Sequence, residues 1–356
     1  MSSPQRSGGD GMSATEVVVV GGGIIGLSIA WRCAQRGLAV TVHDDGGDGG
    51  AWYAAAGMLA PAGEAGFGQE ALTELMVESA GRWPGFAEEL SRASGIDVGY
   101  DRTGTLTVAL TADDVAEAQR LWAYRRGLGL GLSPLGPSAL RELEPALSLR
   151  LRGGAHAPDD RQVDPRRVVA ALRAVLGPAV LRSRVDDLPA GVPVVVAAGS
   201  GTAALTGLPV RPVKGLVLRL RGEPGLLRHV VSGWADGRHV YLVPRADGEV
   251  VVGATQDERR DSTVTAGQVR DLLRAATDVV PELGECELTE TVVRHRPATP
   301  DNAPLLGAHT GGPIIAAGHH RNGVLLAPVT ADLIAELVAT GKADPLLDAF
   351  APGRFA

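Results

Sequence analysis

The sequence predicts a mixed α/β (α+β) protein in which a parallel sheet is interleaved with an antiparallel one. Three observations predict this class. Near the N-terminal end, a strand, a glycine-rich turn, a helix and a second strand follow one another. Several short runs in the middle of the chain alternate apolar and polar residues, as half-buried antiparallel strands do. A buried strand and a helix return near the C-terminal end, so the two lobes are expected to alternate along the chain.

The first β-α-β unit is predicted over residues 16–43. Residues 16–20 (EVVVV) are β-branched and continuous, which is typical of a central parallel strand. Residues 24–36 have helical apolar spacing, and Gly37 can cap the end of that helix. Residues 38–43 then form the second strand.

The remaining elements follow from the same periodicities. Helices are predicted over residues 70–94, 112–128, 137–145, 163–176 and 268–280, and in a terminal stretch that runs from a turn at residue 322 to residue 339. Strands are predicted over residues 192–198, 211–221, 230–233, 239–244, 249–255, 287–296 and 313–317. Residues 99–110 are predicted to form a hairpin.

Two interleaved lobes account for this order of elements. Residues 1–14 are polar and glycine-rich and are predicted to be a disordered tail. Residues 15–90, 150–212 and 290–356 are assigned to a nucleotide-binding lobe. Residues 91–149 and 213–289 are assigned to a substrate lobe.

Composition excludes several classes of function. Of the 356 residues, 45% are hydrophobic and 21% are charged, as in globular proteins. The net charge of −7 argues against nucleic acid or an anionic membrane as the partner. No apolar run reaches the length of a membrane span. The two cysteines and eight histidines show no metal-ligand spacing, so no metal is expected, and isolated thiols indicate a reducing, cytoplasmic location.

Residues 21–26 (GGGIIG) fit the pattern G-x-G-x-x-G between a strand and a helix. Gly21 permits the tight turn, Gly23 lets the backbone approach a pyrophosphate, and Gly26 lets the helix pack close to the strand. The N-terminus of the helix then faces the phosphate charge. Asp44 ends the second strand, at the spacing expected of a ribose-binding carboxylate. The motif alone does not separate NAD from FAD.

Three further segments make the sequence similar to a known family. Residues 54–61 read AAAGMLAP, residues 241–245 (YLVPR) precede VGAT at 252–255, and residues 318–328 read GHHRNGVLLAP. Together with the glycine motif they resemble the glycine oxidases of thiamine biosynthesis, within the D-amino acid oxidase and sarcosine oxidase flavoproteins. The resemblance covers about residues 16–350. It implies FAD bound non-covalently in a two-lobed fold.

The resemblance also implies which residues contact the flavin. It places Ile24 and Ile25 at the phosphates, Asp44 and Asp45 at the ribose, and Val185 at the adenine part. Residues 56–58 lie near the ring system and residues 319–325 wrap its pyrimidine edge, where backbone N–H groups can stabilise the anionic reduced flavin. The full set of expected cofactor-binding residues is Gly21, Gly23, Ile24, Ile25, Gly26, Asp44, Asp45, Ala51, Trp52, Ala56, Gly57, Met58, Val185, His319, His320, Arg321, Asn322, Gly323, Val324 and Leu325.

The substrate site is expected to bind the carboxylate of a small amino acid or amine. Arg296 matches the family's carboxylate-binding arginine, Arg321 a second arginine, and Tyr241 a tyrosine whose hydroxyl reaches the carboxylate. A guanidinium grips a carboxylate bidentately. His319 and His320 are expected to shape the flavin edge and not to act as bases, because the flavin takes a hydride from the neutral amine. Water then hydrolyses the imine, and O2 reoxidises the flavin with release of hydrogen peroxide.

The sequence departs from the family pattern in several places. Trp52 and Tyr53 stand where the family offers small hydroxyl residues, and Arg294 replaces a small uncharged residue. A tryptophan common in the family is missing around residues 201–202, and a hairpin expected before residue 192 is absent. These departures leave open altered specificity, weak FAD binding or an inactive relative.

Other substrates and acceptors also stay open at this point. A sarcosine, D-amino acid or D-proline oxidase, or a dehydrogenase with another electron acceptor, would share the same chemistry. Covalent attachment of FAD is not expected, because Cys286 lies outside the motif that carries it in the sarcosine oxidases. The family suggests a homo-oligomer.

Overall fold

A computed structural model describes residues 16–46, 49–310 and 312–355. The predicted tail over residues 1–14 lies outside the described residues. The strands in chain order are β1 (Glu16–Val20), β2 (Ala39–Asp44), β3 (Met58–Leu59), β4 (Thr105–Ala109), β5 (Ser133–Leu135), β6 (Gly153–Ala157), β7 (Arg161–Gln162), β8 (Val180–Arg182), β9 (Val194–Val196), β10 (Arg211–Arg221), β11 (Val230–Ala235), β12 (Arg238–Pro244), β13 (Glu249–Gly253), β14 (Glu287–Ala298), β15 (Leu305–Ala308) and β16 (Ile314–Ala317).

The helices in chain order are α1 (Ile24–Gln35), α2 (Pro61–Glu64), α3 (Glu70–Ser94), α4 (Ala112–Gly127), α5 (Pro137–Leu143), α6 (Pro165–Leu176), α7 (Thr202–Thr206), α8 (Ala266–Val279) and α9 (Ala327–Thr340). Short 3₁₀ turns include one at Ala51–Tyr53 and one at Gly199–Gly201. Among the described residues, no helix is both long and apolar enough to cross a membrane.

A six-stranded sheet carries the first β-α-β unit. Its strand order is β15-β16-β9-β1-β2-β8, and all neighbours are parallel except β15 and β16. The prediction of parallel strands at both ends of the chain is therefore confirmed for β1, β2, β9 and β16, while β15 adds an antiparallel edge. Helices α1, α3, α6 and α9 pack together beside this sheet around fully buried side chains such as Leu27, Trp83 and Leu172.

An eight-stranded sheet forms the second layer. Its order is β14-β10-β13-β12-β11-β4-β6-β5, with β4 and β11 as the parallel pair in an otherwise antiparallel arrangement. One face packs against α8 through side chains such as Leu218, Leu242 and Ala276. Tyr241 and Val243 belong instead to a second apolar cluster that contains Ala54 and Ala56.

The predicted hairpin over residues 99–110 is wrong. Only β4 forms within it, because Gly99 and Gly104 adopt positive φ angles of 68° and 95° and interrupt an extended chain. Asp101 pairs with Gln162 instead, and β4 pairs with β6 and β11. Strand β6 (GGAHA) was missed because glycine and alanine carry no strand signal. The lobe boundaries stay a prediction, and β14 crosses the one placed between residues 289 and 290.

Candidate functional site

A cavity of about 1050 Å³ is lined by residues that come from both large sheets. It brings together most of the residues that the sequence singled out. Those lining it are Gly21, Gly23, Ile24, Ile25, Asp44, Asp45, Ala51, Trp52, Ala56, Gly57, Met58, Val185, Tyr241, Arg296, His319, His320, Arg321, Asn322, Gly323 and Val324. Gly26 and Leu325 are not among the lining residues.

The glycine-rich turn is dictated by close backbone contacts. Gly21 has a φ of 125°, and a Cβ there would lie 2.2 Å from the carbonyl oxygen of Ala197. A Cβ on Gly26 would lie 2.0 Å from the carbonyl oxygen of Gly21, so the helix approaches the turn as the motif predicts. At Gly23 the nearest atom to such a Cβ is Trp52 Cδ1 at 3.7 Å, which leaves room for a ligand.

The N-terminus of α1 has the chemistry of an anion site. Its N-cap Gly23 offers no side-chain acceptor to the first turn, and no acidic residue lies in that turn. Ile24 and Ile25, the first two residues of the helix, both line the cavity. Unpaired backbone N–H groups and the helix dipole together favour a phosphate at such a position. We name residues 21–26 together with Asp44 the nucleotide cradle.

Asp44 is fixed beside this turn by contacts that the sequence did not reveal. The Arg173 guanidinium donates from Nη2 to Asp44 Oδ2 at 2.7 Å, and the Gly46 backbone N–H donates to Oδ1 at 3.1 Å. A Cβ on Gly22, the variable position between the first two glycines of the motif, would lie 2.1 Å from Asp44 Cγ, so the carboxylate requires a glycine there as well. Arg173 lies in α6, far from the motif, and no sequence signal marked it.

Two of the departures from the family pattern contact each other. The guanidinium carbon of Arg294 lies 5.0 Å from the centre of the Tyr53 ring, and that of Arg166 lies 3.7 Å from it. The Tyr53 hydroxyl donates to Glu290 Oε1 at 3.2 Å, and Arg166 Nη2 donates to Glu290 Oε2 at 2.8 Å. Tyr53 and Arg294 are therefore parts of one cluster, which we name the Tyr53 cluster (Tyr53, Arg166, Glu290 and Arg294), and of these residues Arg294 lines the cavity.

Tyr241 and Arg296 are held against glycines of neighbouring strands. A Cβ on Gly253 would lie 2.2 Å from the Tyr241 hydroxyl oxygen, and one on Gly215 would lie 2.5 Å from Arg296 Nη1. Arg296 Nη1 donates to the carbonyl oxygen of Thr255 at 3.2 Å. Burial raises the pKa of Tyr241 and lowers the pKa of Arg296. The hydroxyl therefore stays protonated, and the guanidinium favours an anionic partner.

Arg321 pairs with a residue that the sequence analysis missed. Its Nε lies 3.3 Å from Glu64 Oε2, and Glu64 raises the pKa of Arg321. Glu64 is the last residue of α2 and also lines the cavity. Its position directly after the AAAGMLAP segment is the signal that could have identified it. We name Tyr241, Arg296 and Arg321 the Arg296 cluster.

Three histidines of the cavity wall, His239, His319 and His320, are uncharged at neutral pH. Burial lowers the pKa of His319 to about 3 and those of His239 and His320 to about 4. His319 Nε2 lies 3.1 Å from Thr330 Oγ1, whereas His320 Nε2 is buried without a hydrogen-bond partner in the part of the chain that the structure describes. Groups with such low pKa values are poor acceptors for the proton of an ammonium. Among the described residues, no three His, Cys, Asp or Glu side chains are grouped to hold a metal ion.

Comparisons with known proteins agree with this geometry. The chain is 34% identical over 377 residues to the bifunctional protein ThiO/ThiG of Synechocystis sp., an alignment covering 96% of this chain and 54% of that protein, so it spans about half of that relative's length. It is 34% identical over 352 residues to a glycine oxidase of Geobacillus kaustophilus, covering 91% and 92% of the two chains.

The solved structures give the same result. The crystal structure of glycine oxidase from Geobacillus kaustophilus superposes with a TM-score of 0.88 at 32% identity, covering 96% of this chain and 99% of that one. The family described as FAD dependent oxidoreductase matches residues 16–337. With the nucleotide cradle and the Arg296 cluster in one cavity, the chain belongs to this family of FAD-dependent oxidoreductases.

Proposed function

We propose that the chain is an FAD-dependent amine oxidase of the glycine oxidase type. It converts glycine, water and O2 to glyoxylate, ammonia and hydrogen peroxide, through loss of a hydride from the α-carbon and hydrolysis of the imine. The observation that carries the proposal is the shared cavity, which joins an anion-binding helix N-terminus to a buried tyrosine and arginine. The glycine oxidase and ThiO relatives support glycine as the substrate and the supply of glycine imine to thiamine thiazole synthesis as the role.

The residues present fit FAD. The open face of Gly23 and the uncapped start of α1 suit the pyrophosphate, Asp44 and Asp45 suit the ribose, and Val185 suits the adenine part. Residues 56–58 and 319–325 would surround the ring system, with Ala51 and Trp52 beside the phosphates. When bound there, FAD supplies the acceptor for the hydride. Neither cysteine is among the described residues that line the cavity, which supports non-covalent binding.

The Arg296 cluster orients the substrate. Arg296 binds the substrate carboxylate, the Tyr241 hydroxyl donates to it, and Arg321 supplies a second cation. This fixes the α-carbon, and in such chemistry the gain comes from alignment of the reacting hydrogen. His319 and His320 stay neutral and shape the cavity wall. The substrate amine must therefore bind in its neutral form, or lose its proton without the help of a strong protein base.

The assembly and organisation are part of the same proposal. We assign residues 15–90, 150–212 and 290–356 to the FAD-binding lobe and residues 91–149 and 213–289 to the substrate lobe. The two sheets support a division into two lobes, but β6 and most of β14 lie in ranges assigned to the FAD-binding lobe and pair in the eight-stranded sheet. A homo-oligomer and a cytoplasmic location complete the proposal, and sedimentation of the holoprotein tests the first of these.

The test is peroxide release by the FAD-loaded protein with glycine, sarcosine, D-alanine and D-proline in parallel. We expect the highest kcat/KM with glycine. A preference for a bulkier amine would move the assignment to a sarcosine or D-amino acid oxidase. Flavin reduction without peroxide would indicate a dehydrogenase, and absence of reduction with every amine would indicate an inactive flavin-binding relative.

A further inference from the structure

The backbone on both sides of Glu64 is held by one arginine. Arg125, in α4, donates from Nε to the carbonyl oxygen of Ala65 at 2.9 Å and from Nη2 to that of Gly63 at 2.5 Å. These two carbonyl groups flank Glu64, whose carboxylate lies 3.3 Å from Arg321 Nε. A continuous set of contacts therefore runs from α4 through the Glu64 backbone to Arg321.

The arginine is a buried, built-in part of this region. Only 6% of Arg125 is exposed, and it lines the same cavity as Glu64 and Arg321. Glu64 and Asp160 act on it with opposite charge, and Asp160 Oδ1 accepts from the Ala62 backbone N–H at 3.2 Å. A buried guanidinium with two backbone acceptors fixes the segment more tightly than a surface ion pair would.

We propose that Arg125 is a positioning residue for the substrate carboxylate. By clamping the carbonyl groups of Gly63 and Ala65, it sets the direction of the Glu64 carboxylate, and Glu64 in turn holds the Arg321 guanidinium where the substrate carboxylate binds. The inference rests on the role of Arg321 in the proposed function. It adds an outer arginine that acts without touching the substrate.

The alternative is that Arg125 merely stabilises the fold. A neighbour separates the two, because Tyr124 also binds this part of the chain. Its hydroxyl donates to the carbonyl oxygen of Gly66 at 3.1 Å and to Glu70 Oε1 at 2.7 Å, outside the pair of carbonyl groups that flank Glu64. Loosening the segment through Tyr124→Phe should therefore leave Arg321 in place. Arg126, exposed on the same helix, provides a matched arginine without these contacts.

The experiment compares Arg125→Met with Arg126→Met and Tyr124→Phe as FAD-loaded proteins. Two quantities are measured: KM and kcat for glycine, and the Kd of acetate, a carboxylate that does not react, from its perturbation of the flavin absorption spectrum. We expect Arg125→Met to raise both KM and the acetate Kd about tenfold, because misplacing an orienting group weakens alignment. FAD content should stay unchanged and kcat should stay within about twofold. Both control variants should match the wild type.

Glu64→Gln then tests the route. It should raise the acetate Kd by a factor similar to that of Arg125→Met, and the double variant should be no worse than the weaker-binding single variant, since both act through Arg321. Additive effects in the double variant, or an Arg125→Met protein that binds acetate like Arg126→Met, would overturn the inference.

A conservative variant covers a folding defect. If Arg125→Met does not fold, Arg125→Lys keeps the charge and one donor, and it should show an intermediate acetate Kd with wild-type FAD content. An Arg125→Lys protein with wild-type acetate Kd would also overturn the inference. Failure of the proposed function looks different, because the wild type itself would then oxidise no glycine, whatever its affinity for acetate.

Discussion

The nucleotide cradle and the Arg296 cluster line one cavity, but the first is built mainly from consecutive residues and the second from distant ones. The cradle consists of the consecutive residues 21–26 together with Asp44, and a Cβ on Gly21 or Gly26 would lie 2.2 or 2.0 Å from a backbone oxygen. In the Arg296 cluster, Tyr241 and Arg296 lie on two strands of the eight-stranded sheet, and Arg321 lies in the segment before α9. A ligand bound by backbone N–H groups leaves a local sequence pattern, whereas a ligand bound by distant side chains does not.

We therefore predict that substitutions in the nucleotide cradle weaken FAD binding, whereas substitutions in the Arg296 cluster weaken substrate binding. The strongest test is Gly21→Ala. Its Cβ would meet the Ala197 carbonyl oxygen at 2.2 Å, with a φ of 125°, so we expect destabilisation of about 3 kcal/mol and loss of most bound FAD. FAD absorbance per protein and urea unfolding measure both effects.

Gly37→Ala is the matched control for this change. Gly37 also has a positive φ, 79°, but no atom of the described residues beyond its own chain neighbours lies within 4 Å of its Cβ position. Alanine there should cost only about 1 kcal/mol, with FAD content unchanged. Equal loss of FAD in the two variants would show that backbone strain, and not the close approach of the cradle, governs cofactor binding.

In the Arg296 cluster, Arg296→Met should have the next largest effect. Loss of a charged hydrogen-bond partner should raise KM for glycine by about 10- to 150-fold, which corresponds to about 1.5–3 kcal/mol, without lowering FAD content. Arg260→Met, at an exposed arginine that also lines the cavity, should leave KM unchanged. An unchanged KM in Arg296→Met would mean that the substrate carboxylate binds elsewhere.

The same contrast explains what the sequence could predict. The β-α-β unit, the glycine turn and Asp44 followed from residue types and spacing, because each depends on neighbours within about 25 residues. Tyr241, Arg296 and Arg321 came only from the resemblance to a family, since 32 arginines give no basis for choosing two. Arg173 and Arg125 act through contacts between distant elements, and no local pattern could have predicted them, whereas Glu64 lies close after the AAAGMLAP segment.

The histidines of the wall provide a smaller, pH-dependent test. Burial lowers the pKa of His320 from 6.5 to about 4. Below pH 6.5 the unfolded chain binds a proton that the folded chain does not, so the stability from this group, present at neutral pH, is lost as pH falls toward 4. Between pH 7 and 5.5 the loss is about 1 kcal/mol.

His320→Asn should remove that part of the pH dependence. Asparagine tolerates the positive φ of 49° at this position. Urea unfolding of the two holoproteins at pH 7 and 5.5, at fixed FAD concentration, measures the difference. Asp160, whose pKa burial raises to about 7, changes stability in the opposite direction but equally in both proteins. Identical pH dependence of the two proteins would mean that His320 is accessible to protons in the folded state.

The Tyr53 cluster should show the smallest effect. Tyr53→Ser restores a hydroxyl residue of the family type, and Arg294→Gly restores a small one, but each alone removes the ring contact at 5.0 Å. We expect the double variant to bind FAD better than the sum of the single changes predicts, by about 0.5–1 kcal/mol. A fluorescence titration of FAD with the four proteins gives this coupling. Strict additivity would mean that the two departures are independent.

The most direct measurement is anaerobic mixing of the FAD-loaded protein with glycine while the visible absorption band of the oxidised flavin is followed. We predict that glycine bleaches the band in the wild type at low concentration. In Arg296→Met the same bleaching should require about 10- to 150-fold more glycine, with the same amount of FAD bound. A band that glycine never bleaches, in a protein that holds FAD, would contradict the proposed amine oxidation.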